Sequence, residues 1–168
     1  MKLQISVLLK FLLTFGLLII TQIAMYLLNI PIFSIDGFAD LFSIALGSIR
    51  FGISSTIAFL SLFIIFSLLP IPLRQNKYYK ILCNFFYILG TNIILILNCI
   101  DLGYYKFTYK RITYDFFNYL GVGGDFKELI PQFARDYWHI LVIFILLNIV
   151  FHYLRKAIDK KYSSELIL

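Results

Sequence analysis

Few side chains in this sequence are suited to chemistry, and their spacing keeps them apart. His139 and His152 stand 13 residues apart, which on one helix is ~20 Å along the axis, too far to share a metal ion. Cys83 and Cys99 are 16 residues apart, ~24 Å by the same measure, so they cannot form a disulfide with each other. Both read as small apolar core residues. Asn148 and His152 are i and i+4, the spacing of a packed hydrogen-bonded pair rather than of a nucleophile and its base. Gly121–Val122–Gly123–Gly124–Asp125 has neither the spacing nor the preceding strand of a dinucleotide loop and reads as a turn. No HExxH, CxxC, EF-hand or Walker pattern occurs. The expectation is therefore no catalytic residue, no metal ligand and no cofactor within these residues.

Three sets of side chains remain. Lys110 and Arg111 follow Asp101 within ten residues. Two cations, with the acid orienting one of them, suit a lipid-headgroup phosphate, and the planar guanidinium fork matches such a group. Plain snorkelling of the cations to a membrane interface is the other reading. Asn84, Tyr87, Thr91, Asn98 and Asp101 fall at offsets 0, 3, 7, 14 and 17, one face of one helix, with Asn92 beside it. Such a face is a solute or ion path, or a seam of interhelical hydrogen bonds; the seam is expected. Ser48, Gly52 and Thr56 recur every fourth residue, as small residues do where helix backbones approach closely.

What must position these groups is set by hydrophobicity. The chain has 168 residues, 61% hydrophobic and only 14% charged, against about 25% charged in a soluble domain. A water-soluble fold, disorder and a basic nucleic-acid binder are all poor readings of that balance. Four stretches carry no charge: 25 residues after Lys10, 23 after Arg50, 20 after Lys80 and 18 after Asp136. A bilayer core of ~30 Å takes roughly 17–25 helical residues. The runs do not alternate as barrel strands would. The expected fold is an all-α integral membrane domain, a single unit over 1–168. Four transmembrane helices are placed near 7–29, 51–70, 80–100 and 137–155. The first is read as uncleaved, because it is too long for a signal peptide's apolar region.

Between the spans, Ser34 and Asp36 precede an apolar stripe at Phe38, Leu41, Phe42, Ala45 and Leu46. That predicts an interfacial amphipathic helix over 34–48, capped by Ser34. The 101–136 segment is dense in Tyr and Phe and is expected to lie along the membrane face as a second interfacial segment. Pro70 and Pro72 close the second span. Lys2 and Lys10, then Arg74, Lys77 and Lys80, then Arg155, Lys156, Lys160 and Lys161 mark three basic segments. The positive-inside rule puts both termini and the 71–80 loop of a multi-pass membrane protein in the cytoplasm.

The order of these features resembles a known family. Gly47–Ser48–Ile49–Arg50–Phe51 opens span two and Leu69–Pro70–Ile71–Pro72 closes it. Asn92, Asn98 and Asp101 end span three. Tyr105–Lys106–Phe107–Thr108–Tyr109–Lys110–Arg111, Thr113 and Asp115 follow. Then come Gly123–Gly124–Asp125, Pro131–Gln132–Phe133 and Asp136–Tyr137–Trp138. This order resembles the N-terminal transmembrane region of the lipoteichoic acid synthase-like sulfatases, in the form found in Bacteroidetes, within the alkaline phosphatase superfamily. The resemblance covers about residues 45–140. It implies five membrane helices followed by an extracytoplasmic domain with a threonine nucleophile and manganese or zinc. That domain transfers or hydrolyses phosphoglycerol, phosphoethanolamine or sulfate esters. The family usually has Asp where Gly52 stands here.

On this resemblance the chain is expected to be a membrane-anchoring module without the fifth helix and the catalytic domain. No catalytic or metal residue of the family has a matching position. Membrane lipids, anionic ones included, are the expected partners, together with a separately encoded sulfatase-like domain; nucleic acid is not. The alternative is a free-standing small membrane protein that binds or moves a lipid or small solute.

Overall fold

The computed structural model describes residues 2–30, 37–69, 76–109, 111, 135 and 137–162. Among them the chain is all-helical, without strands. Helix α1 runs Lys2–Leu28, α2 Phe38–Leu68, α3 Lys77–Thr108 and α4 Trp138–Tyr162. Each is long and apolar enough to cross a membrane. Lys110, Ser34, Pro70, Pro72, the glycine turn at 121–125 and nearly all of 112–136 lie outside the described residues.

The helices are longer than the charge-free runs. α2 has 31 residues and α3 has 32, or ~46–48 Å at 1.5 Å per residue, beyond a ~30 Å hydrocarbon core. In its described part, the interfacial helix expected over 34–48 is therefore no separate element. Residues 38–48 are the first three turns of α2, and the cap is Gly37, without a side-chain hydrogen bond. Likewise 101–108 are the last turns of α3 rather than the start of a separate segment. The basic stretch from Arg155 to Lys161 is helical too, the end of α4. In each place a charge marks the edge of an apolar run without stopping the helix, because neither Asp nor Lys breaks backbone hydrogen bonding.

The ends have local causes. Asn76 caps α3 by accepting a hydrogen bond from the Tyr78 amide at 3.0 Å. Leu69 ends α2 with ψ 126°, the extended backbone imposed on a residue before proline. Tyr109 ends α3 in the left-handed region, φ 55°, its amide donating to the Tyr105 carbonyl at 2.9 Å.

α1 and α3 form the central pair; α2 packs on both, and so does α4. The pattern of burial departs from that of a soluble protein, with polar residues buried beside apolar ones and many large apolar residues exposed. Leu12, Ile23, Ile57, Leu62, Phe85 and Ile149 point outward and are exposed. Thr14, Thr21, Thr56, Thr91 and Asn98 point inward and are buried. In hydrocarbon, polar side chains must find partners inside the bundle, whereas apolar ones are at no disadvantage on the surface. Two glycines set the spacing. A Cβ on Gly90 would overlap the Phe59 carbonyl oxygen, so glycine lets α3 lie directly on the backbone of α2. A Cβ on Gly52 would stand 2.9 Å from Phe15 Cε2 and 3.2 Å from Leu18 Cδ2, on the α1 face of α2.

Candidate functional site

The polar face of α3 has a counterpart that the sequence reading passed over. On α1, Lys10, Thr14 and Thr21 fall at spacings of four and seven, one stripe, and all are buried. The two stripes meet side by side. The Thr14 and Thr91 hydroxyls lie 3.0 Å apart, and the Tyr87 hydroxyl donates to the Lys10 carbonyl at 3.1 Å. Leu17, Leu18, Ile94 and Leu95, at most 2% exposed, form the next layers. Beyond them polarity returns with Thr21, Gln22, Asn98 and Asp101, all buried. The interior is thus two polar ends separated by an apolar layer.

The end that bears the N-terminus of α1 and the C-terminus of α4 holds an ion network. Lys10 Nζ is 2.7 Å from Asp159 Oδ1, with the two side chains 10% and 30% exposed. Arg155 Nη1 is 3.7 Å from Asp159 Oδ2 and donates to Asn84 Oδ1 at 2.8 Å. The ammonium of Lys10 also lies 5.3 Å from the Tyr87 ring centroid and 5.7 Å from that of Phe63. Tyr87 packs in turn on Phe63 and Phe151. This places a cation in an aromatic cage closed by a carboxylate, with α1, α2, α3 and α4 all contributing. Two helix-terminal charges taken from sequence as topological markers, Lys10 and Arg155, are turned inward here. The acid that joins them was not singled out at all. Its signal was present: Asp159 is the one acid among the charges from Arg155 to Lys161, four residues after Arg155.

The opposite end holds Asp101, 6% exposed, near the end of α3. Arg111 lies over the ring of Phe51, its Cζ 4.1 Å from the centroid. Burial pulls the guanidinium below its ordinary pKa, and the charge of Asp101, then Tyr105, pulls it back. Arg111 Nη1 is buried and has no hydrogen-bond partner among the described residues. The same is true of both polar atoms of the Gln22 amide, on a residue only 4% exposed.

The remaining sequence-selected residues are local. The Thr56 hydroxyl donates to the Gly52 carbonyl at 2.7 Å, and the Asn98 amide to the Ile94 carbonyl at 2.8 Å. Ser48 is half-buried on α2. Asn92 and Asn148 bond back to their own helices, at Ile88 and Phe144. Cys83 and Cys99 are not joined in a disulfide, and Cys99 is buried. Among the described residues no three His, Cys, Asp or Glu side chains come together as a metal site.

No family model, no curated protein and no solved structure matches the chain.

Proposed function

We propose that the chain is a membrane-anchoring module of the kind found at the N-terminus of lipoteichoic acid synthase-like sulfatases. In this reading it holds an envelope enzyme domain at the membrane and does no chemistry of its own. The order of residues between 45 and 140 suggests the family. The observation that favours an anchor over a solute path is the closed interior. The two polar ends are separated by four buried aliphatic side chains, Leu17, Leu18, Ile94 and Leu95, and the polar groups next to that layer bond across helices, Thr14 to Thr91 and Tyr87 to Lys10. Helix-to-helix hydrogen bonds of this kind contribute about 0.6 kcal/mol each. They favour one rigid arrangement.

The ion-network end faces the cytoplasm in this reading and the Arg111 end faces outward, in a bacterial inner membrane. After Cys83 and Cys99 are replaced by Ser, single cysteines at Gly37 and Asn76 report the orientation. Gly37→Cys should react with a membrane-impermeant thiol reagent on intact cells, and Asn76→Cys only after lysis. The reverse pattern would overturn the orientation. The anchor reading itself is tested with the purified chain in liposomes and with a reporter domain fused after residue 168. The reporter should stay in alkali-washed membranes, and the liposomes should show no saturable solute uptake. Saturable uptake, absent from protein-free liposomes, would make the chain a transporter.

A further inference from the structure

The far end of the bundle contains hydrogen-bonding groups that the described protein leaves unmet, on α1 and at Arg111. Among the described residues, Arg111 Nη1 is buried without an acceptor, and the Gln22 amide is buried without a donor or an acceptor. A buried polar group left without a partner costs about 1–3 kcal/mol, and such groups in a folded protein call for an explanation such as an absent ligand.

Helix register places the two groups in the same region. Leu18 of α1 faces Gly52 of α2. One turn onward in each antiparallel helix brings Gln22 level with Ser48, and Phe51, under the Arg111 guanidinium, is the neighbour of Gly52. On the parallel pair, Thr14 faces Thr91. Gln22 is eight residues beyond the first and Asp101 ten beyond the second, ~12 and ~15 Å, so they differ by one step or two in depth.

We infer that this end binds the phosphate of a phospholipid headgroup, with Arg111 as its principal ligand, Phe51 holding the guanidinium flat and the Gln22–Ser48 level forming the polar floor beneath it. The chemistry selects the ligand class. A guanidinium fixed by stacking on one face, with an unused N–H, takes a two-oxygen anion edge-on. A helix end reached from the headgroup layer meets such anions as lipid phosphates. The charge of Asp101, on the same side, acts on the guanidinium and disfavours a second anion. At the other end Arg155 Nε is likewise buried without a partner among the described residues, but Lys10 and Arg155 lie 2.7 and 3.7 Å from Asp159 and Arg155 Nη1 donates to Asn84, so those cations are already engaged. The inference needs only that the helices sit in a bilayer, and is independent of whether the chain anchors an enzyme.

The test uses the purified full chain in a neutral detergent, with native mass spectrometry after addition of phosphatidylglycerol. Wild type should retain lipid. Arg111→Gln should lower retention several-fold, whereas Lys156→Gln, which removes an exposed cation at the opposite end, should leave it unchanged. Equal retention by wild type and Arg111→Gln, or equal losses in both variants, would overturn the site. A second measurement needs no variant. Phenylglyoxal modification of Arg111, located by peptide mass, should be slowed by phosphatidylglycerol. It should not be slowed by glycerol phosphate at the same concentration. No protection by the lipid, or equal protection by the free phosphate, would overturn the headgroup assignment.

Discussion

The two ends of the bundle carry similar side chains in different circumstances. At the near end Lys10 and Arg155 converge on Asp159, and Arg155 also donates to Asn84 through Nη1, although its Nε is buried without a partner among the described residues. At the far end Arg111 lies over Phe51, and its buried Nη1 has no partner among the described residues. An ion pair inside the bundle fixes helix positions, because separating it would strand a charge away from water. A stacked guanidinium with a spare donor is held in place and still able to bind. The contrast teaches that basic residues near helix ends cannot be read by count alone. One end uses them as a clasp between α1 and α4, and the other presents one as a ligand.

Substitutions at the two ends should therefore differ in kind. The largest loss of stability is expected for Asp159→Asn. Removing one member of a buried pair costs about 3–5 kcal/mol, and partial exposure of Asp159 brings the expectation to roughly 2–3. Denaturant titration in detergent micelles measures it; a loss under half a unit would mean the clasp is ornamental. Next is Gly90→Ala, in the middle of the bundle. The added carbon meets the Phe59 carbonyl, and overpacking of that sort costs about 1–3 kcal/mol. An unchanged midpoint would show that α2 and α3 slide apart freely. Replacing Thr14 and Thr91 together by Val should cost about 0.6 kcal/mol, the usual size of one interhelical hydrogen bond in a membrane. For Arg111→Gln the expected loss is about 0.5–1 kcal/mol, that of its cation–π contact with Phe51, while lipid retention falls several-fold. A large drop in its stability would erase the difference between the two ends, making Arg111 another structural cation.

The legibility of the fold was uneven for physical reasons. Charge-free runs marked four long helices because their length and apolarity match what a bilayer-spanning helix needs. They misplaced the start of α1 and the ends of α2, α3 and α4, since a charged residue does not break backbone hydrogen bonding and the helix continues through it. The polar face of α3 was visible because Asn84, Tyr87, Thr91, Asn98 and Asp101 are conspicuous in an apolar run. Its complement on α1 was not, because Thr14 and Thr21 are small and Lys10 looked like a border charge. Asp159 was hidden for the same reason, as one acid among basic neighbours. Which of two cations turns inward depends on where another helix stands, and spacing within one helix does not contain that information.

The Lys10–Asp159 contact is the clasp between α1 and α4. A double-mutant cycle with Lys10→Met, Asp159→Leu and both together tests it directly, by unfolding free energies of the full chain in detergent. The cycle removes the separate contribution of Arg155, which loses Asp159 in either background. Each single variant should be destabilised, and the double should recover toward wild type, since an apolar pair of similar size can replace a buried ion pair at little cost. The expected coupling is about 2 kcal/mol. Strict additivity, with the double variant as unstable as the two losses combined, would contradict the clasp.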